Sequence, residues 1–161
     1  MRTYIGTAAL TCLLLTACSH TTPRTSWQPY SFNGSQFVAG DFAGMPTILV
    51  RSGFVPARDS SGRGGALATT DGAVAGFCYR QTSGGKMSTN PGNTALAVET
   101  IYIFRDRKSL QTTQSDSAGF FAESLPAGNY EIACRGIRIP FRIRQGETTL
   151  VPLPCGKRMV D

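Results

Sequence analysis

The chain has 161 residues, with 16 basic and 10 acidic side chains for a formal charge of +6, and it carries 18 Gly, 9 Pro, five Cys and one His. That length allows one domain of ordinary size plus tails, and 16% charged against 41% apolar residues excludes a disordered tail or a long-helix protein. A single His excludes most zinc and imidazole chemistry, which draws on that side chain repeatedly.

Arg2 gives a short positive start, and Tyr4 to Ala17 form an apolar run. At about 1.5 Å per helical residue such a run covers roughly two-thirds of a hydrocarbon core, so it fits a secretory signal better than a transmembrane helix. The run ends in Leu15-Thr16-Ala17-Cys18, which resembles a bacterial lipobox. The alternative is an ordinary secretory signal with an adventitious Cys. In the lipoprotein family the peptidase cuts before the Cys, small residues clear the cleavage site, and the thiol carries diacylglycerol. The resemblance implies a signal peptide over residues 1–17 and lipid attachment at Cys18. Two or three acyl chains hold such a protein firmly to a bilayer. For a Gram-negative host the lipoprotein resemblance further implies the outer membrane, since Ser19 stands where Asp would favour inner-membrane retention, and the domain is expected to face the periplasm. Loss of residues 1–17 removes Arg2 and Cys12. The mature chain then has 15 basic and 10 acidic side chains, or +5, and its cysteines beyond the anchor are Cys78, Cys134 and Cys155. His20 falls beside the anchor, so the part expected to fold has no histidine.

Residues 18–35 are polar, contain Pro23 and Pro29, show no periodicity, and read as a lipidated tether. Trp27, Tyr30 and Phe32 interrupt it, either as rings packed locally or at the membrane interface, or as an aromatic docking peptide. Residues 36–72 form an extra strand-like segment followed by a Gly/Ser linker. Thr47-Ile48-Leu49-Val50 is strand-like by its β-branched content. It is too isolated to fold alone, so it is expected to add to the sheet of the following domain or to pair with another protein's edge. Arg58-Asp59-Ser60-Ser61-Gly62-Arg63-Gly64-Gly65 then reads as a flexible break.

From Ala73 onward the pattern predicts an all-β domain over residues 73–158. Short β-branched and aromatic runs alternate with Gly, Pro, Asn and Asp turns. Val74, Gly76 and Cys78 share one face of a first strand, and residues 97–104 form a second. Asp106-Arg107-Lys108 make a turn, Gly119 to Ala122 belong to another strand, and Tyr130, Ile132 and Cys134 alternate on the next. Ile137, Ile139, Phe141 and Ile143 alternate with Arg138, Pro140, Arg142 and Arg144, the clearest half-buried strand in the chain. Thr149, Val151, Leu153 and Cys155 close the set. Six or seven short strands imply a sandwich.

Two turns carry a family likeness. In Asp116-Ser117-Ala118-Gly119-Phe120-Phe121 the carboxylate can accept from backbone N–H groups two and three residues on, Gly119 supplies a positive φ, and Phe121 points inward. In Leu125-Pro126-Ala127-Gly128-Asn129-Tyr130, Leu125 plugs the sandwich end, Pro126 and Gly128 set the turn, and Tyr130 opens a strand. Together they resemble the carboxypeptidase regulatory-like domains, a group with a transthyretin-like β-sandwich that includes collagen-adhesin B-type repeats. The resemblance spans residues 73 to 155. It implies a single seven-stranded sandwich used as scaffold, spacer or interaction module, with no peptidase activity, since the catalytic zinc domain of that family is a separate unit. Some adhesin relatives carry an internal isopeptide bond from a lysine on the first strand. Here that strand reads Gly76-Phe77-Cys78-Tyr79-Arg80, and an arginine cannot serve as the amine nucleophile, so no such crosslink is expected.

No Cys-x-x-Cys occurs, which points away from zinc or thioredoxin-type chemistry, and outside the cytoplasm a disulfide is the default. The family's topology implies Cys134–Cys155 as the pair, with Cys78 a buried thiol; the rival is Cys78–Cys134. Arg135, Arg138, Arg142 and Arg144 are expected on one outward face, either as a solvated row that discourages sheet aggregation or as a site for phosphates and carboxylates. Ser83-Gly84-Gly85-Lys86 matches the Ser-x-x-Lys of serine acylases, but two glycines replace the helical turn that chemistry needs, and no Lys-Thr-Gly follows. The sequence therefore points to a non-enzymatic envelope lipoprotein that needs no cofactor or metal. It would be bound to the membrane through Cys18 and contact a protein partner, or an anionic glycan or lipid, with no nucleic acid involved.

Overall fold

The computed structural model describes residues 26–58, 64–82, 92–95 and 98–156. The apolar run, Cys18, His20, most of the Gly/Ser break and the Ser83–Lys86 motif lie outside the described residues. Eleven strands occur among those described. β1 (Gln28–Phe32), β2 (Phe37–Ala39) and β3 (Thr47–Val50) form an antiparallel sheet with β1 in the middle. The chain continues through β4 (Asp71–Thr82), β5 (Gly92–Ala95), β6 (Thr100–Arg105), β7 (Lys108–Gln114), β8 (Phe120–Pro126), β9 (Gly128–Cys134), β10 (Ile137–Ile143) and β11 (Thr148–Pro154).

β4 organises the fold. Along one edge it pairs in parallel with β11. Along the other it pairs antiparallel with β8 over its first half and with β5 over its second. The facing sheet runs β10-β9-β6-β7, antiparallel throughout. Between the two sheets lies the main core, which includes Val74, Ile101, Phe121, Leu125, Ile132 and Leu153. The chain is thus an all-β sandwich, with eight strands in its two sheets among the described residues and the third, N-terminal sheet added.

That third sheet changes the reading of the N-terminal half. Gln28–Phe32 belongs to no tether: it is the central strand of a sheet, with Ser31 and Phe32 buried. Residues 36–56 do not extend the domain's own sheet either. β2 and β3 flank β1, and the resulting sheet lies face-on against the outer side of β4. Phe32 and Ile48 pack there on Ala75, Phe77 and Tyr79, closing a second core. Burying each large side chain of this kind contributes about 1.5–3 kcal/mol. The N-terminal aromatics pack locally: the Trp27 and Phe54 rings lie 5.9 Å apart, and Phe32 meets Phe37 at 5.2 Å and Tyr79 at 4.9 Å. β4 is therefore covered on both faces, and Gly72 to Tyr79 are buried without interruption.

Two tight hairpins set the register of the facing sheet. β6 and β7 are joined by Asp106 and Arg107 alone, both at positive φ (51° and 64°), the signature of a two-residue primed turn. Lys108 thus opens β7 rather than completing the turn. β9 and β10 are joined in the same way by Arg135 (φ 47°) and Gly136 (φ 84°). The second predicted strand starts at Thr100 instead of residue 97, and Val98 before it is exposed with φ 57°.

Candidate functional site

The turn ahead of β8 is built on Asp116. Its Oδ1 accepts from the Ala118 N–H at 2.7 Å and the Phe120 N–H at 2.9 Å, residues two and four positions on. Gly119 takes φ 77°, and Phe121 and Leu125 enter the main core. Oδ2 of Asp116 meets Arg58 at 3.1 Å, tying the segment after β3 to the sandwich. Pro126 ends β8 and Gly128 opens β9. The Tyr130 hydroxyl donates to the Pro126 carbonyl at 2.8 Å, closing the corner between the two sheets. These residues shape the fold and present no reactive group.

Of the four arginines, Arg138 and Arg142 alternate outward along β10 and are exposed, while Arg135 lies in the turn before that strand and Arg144 just after it. Their electrostatics are not those of an open anion site. Arg135 grips Glu99 with two nitrogens, Nε to Oε2 at 2.8 Å and Nη2 to Oε1. Arg138 meets Glu131 at 3.2 Å and lies over the Phe104 ring at 4.2 Å, and Arg144 meets Glu147 at 3.5 Å. Where both partners are exposed such pairs add little stability, yet the pairs occupy three of the four guanidinium groups. Arg142 alone in the row has no carboxylate partner among the described residues.

The cysteines depart from the family-based expectation. The disulfide joins Cys78 to Cys155, and Cys134 is the free, buried thiol. The reason is the parallel pairing of β11 with β4. Leu153 lies opposite Cys78, and the Cys155 N–H donates to the Tyr79 carbonyl at 2.7 Å, so Cys155 comes alongside the second half of the long β4 strand. Cys134, at the end of β9, reaches the same point from the facing sheet. Its Sγ is 3.6 Å from that of Cys78.

A cleft of about 210 Å³ opens between the N-terminal sheet and β4. Phe32, Met45 and Pro46 line one wall and Phe77 and Tyr79 the other, with Ala95 and Ala118 nearby. Tyr79 is 7% exposed, burial raises its pKa, and its hydroxyl makes no hydrogen bond to a described residue. Met45 stands at the rim, 42% exposed, and Phe42 in the same loop is 45% exposed. Ser31 holds this loop. Its buried Oγ donates to the Gly40 carbonyl at 2.9 Å, accepts from the Phe42 N–H at 3.0 Å, and lies 3.0 Å from Thr47 Oγ1. Of these residues only Phe32 stood out in the sequence, as one of three rings read either as local packing or as an aromatic docking peptide. The available signal was the placing of Phe42 and Met45 inside a Gly-rich loop, where burial does not call for apolar side chains.

Fold and site together define a three-layer all-β protein with an apolar inter-sheet cleft and a sulfur cluster in its main core. No protein-family model and no curated protein matches the sequence. Among solved structures it is similar to the minor pilin GBS52 of Streptococcus agalactiae, with 11% identity, 84% of each chain covered and a TM-score of 0.40. It is also similar to the Bacillus anthracis TIE protein, with 14% identity over 80% of this chain and 30% of that one, again at a TM-score of 0.40.

Proposed function

We propose that this chain is a lipid-anchored envelope protein whose β-sandwich, enlarged by the N-terminal sheet, acts as a non-enzymatic protein-interaction or structural module. Cys18 would carry the lipid, and the domain would sit on the outer membrane facing the periplasm. In this reading β1 begins ten residues after the anchor, so full extension holds the folded body within about 35 Å of the bilayer. The observation that carries the interaction reading is the apolar cleft with exposed Met45 at its rim, beside an exposed Phe42 in the same loop. The cleft's volume suits one aliphatic or aromatic side chain, the kind of anchor that dominates protein interfaces. The alternative partner, an anionic glycan or lipid on the arginine row, would have to compete with the carboxylates already on Arg135, Arg138 and Arg144.

The test is a photo-crosslinking residue at position 45 of the lipidated chain in its native envelope. One envelope protein should be captured, capture should fall in Phe42→Asp, and Arg142→Gln should leave it unchanged. Loss with Arg142→Gln but not with Phe42→Asp would favour the arginine face. In the same cells Cys18→Ala should abolish palmitate incorporation and release the protein from the membrane fraction; persistence of both would defeat the anchor.

A further inference from the structure

Cys78, Cys134 and Cys155 have sulfurs that all lie within 4.8 Å of one another, in a fully buried position where β4, β9 and β11 meet. A disulfide uses two of them. The third sits 3.6 Å from Cys78, in van der Waals contact but to the side of the Cys78–Cys155 bond axis, so a side-chain rotation is what brings it in line for attack. From this geometry we infer that the three cysteines form an internal thiol–disulfide exchange site with Cys78 as the shared sulfur, so that the disulfide can reside on Cys78–Cys155 or on Cys78–Cys134.

The step is balanced within the chain. The Cys134 thiolate attacks Cys78 Sγ, a Cys134–Cys78 bond forms and the Cys78–Cys155 bond breaks. The electron pair leaves on Cys155 Sγ, which takes up a proton equivalent to the one Cys134 gave up. No oxidant or reductant is consumed. The Leu153 carbonyl, 3.4 Å from Cys155 Sγ, is in place to accept a hydrogen bond from the released thiol. The two forms brace different parts of the fold. Cys78–Cys155 ties β4 to its parallel neighbour within one sheet. Cys78–Cys134 pins the two sheets across the core and leaves the end of β11 without a covalent tie, held by its hydrogen bonds to β4 and by the packing of Val151 and Leu153. Burial above all pushes the Cys134 thiol up to about 11; of the charged groups acting on it, Glu99 adds to the shift by disfavouring the thiolate and Arg135 opposes it. The thiolate is therefore scarce at neutral pH, and exchange should quicken about tenfold per pH unit on the way to that value.

The test uses the intact wild-type protein. After incubation at pH 7 and at pH 9.5 it is quenched in acid, unfolded, labelled with maleimide and digested without reduction. Among the three cysteines, label should divide between Cys134 and Cys155, approaching its final ratio faster at the higher pH, and Cys78 should stay unlabelled. Label on Cys134 alone at both pH values after prolonged incubation would overturn exchange, and label on Cys78 would overturn its role as the shared sulfur. As a second measurement, Cys155→Ser treated with oxidised glutathione should close Cys78–Cys134 and leave neither thiol free. Two persistent thiols in the folded variant would count against the proposal.

Discussion

Gly76 on β4 and Phe121 on β8 are directly opposed in the sheet, and the Phe121 ring occupies the space a side chain on Gly76 would need. A Cβ at position 76 would stand 2.8 Å from Phe121 Cζ and 1.9 Å from the Val151 carbonyl oxygen. The ring could turn away, but the carbonyl belongs to the neighbouring strand backbone and cannot. This glycine lets β4, β8 and β11 close around the main core.

Gly76→Ala should therefore destabilise the protein by about 3 kcal/mol or more, the upper range for overpacking a well-filled core. Gly128→Ala, whose Cβ would meet Tyr130 Cε2 at 3.3 Å, should cost much less. Urea unfolding of both variants checks the contrast; equal midpoints would show that β11 gives way at Val151.

The β6–β7 turn contains a correctable strain. Arg107 holds φ 64°, where L-residues other than Gly, Asn and Asp carry a penalty of about 1–2 kcal/mol. Part of that is returned as unfolded-state entropy when Gly is substituted. Arg107→Gly is expected to raise stability by about 0.5–1 kcal/mol, seen as a higher thermal midpoint with an unchanged β-sheet circular dichroism spectrum.

Stability should also respond to alkaline pH through Cys134. Burial, with a smaller push from Glu99 and an opposing pull from Arg135, lifts its pKa from 9.0 to about 11. Between those values the unfolded chain releases the thiol proton while the folded chain keeps it. The unfolded state then binds fewer protons, and unfolding free energy falls as pH rises. This contribution is intact below pH 9 and drains away by about pH 11. Chemical denaturation from pH 8.5 to 11 should show a steeper decline for the wild type than for Cys134→Ala, and parallel curves would contradict the shift.

How far the sequence disclosed this architecture follows from which faces are wet. β10 was legible because one side meets the core and the other meets water, so Ile137 to Ile143 alternate with arginines and Pro140. β7 was not, because most of its residues are exposed and its polar sequence shows no apolar phase. β1 hid behind Gln28 and Pro29 at its start and Ser31 within it. Its presence was nevertheless encoded elsewhere: Ala73-Val74-Ala75-Gly76-Phe77-Cys78-Tyr79 has no polar residue on either phase, as a strand covered on both faces requires. The outer phase, Ala75-Phe77-Tyr79, called for a third layer that only the N-terminal segment could supply. The disulfide was misread for a different reason. Strand phase placed all three cysteines in the core, but the choice among pairs depended on the side of β4 taken by β11, which no local pattern records.

The loop presenting Met45 and Phe42 depends on one hydroxyl. Ser31 is fully buried, and its Oγ serves the Gly40 carbonyl and the Phe42 N–H together, so the loop's conformation is fixed from the central strand of the N-terminal sheet. Ser31→Ala would strand both groups and should cost about 2 kcal/mol, the penalty for leaving buried polar atoms unpaired. The local effect separates this from a general loss of stability. The Phe42 amide should exchange with deuterium markedly faster in the variant, while the Cys155 amide, bonded to the Tyr79 carbonyl on the far side of β4, keeps its protection relative to the global unfolding free energy. If the loop serves as the docking rim, crosslinking from position 45 should weaken in parallel with the faster Phe42 exchange. Strong crosslinking from a freely exchanging loop would instead mean that the partner itself orders residues 40–47.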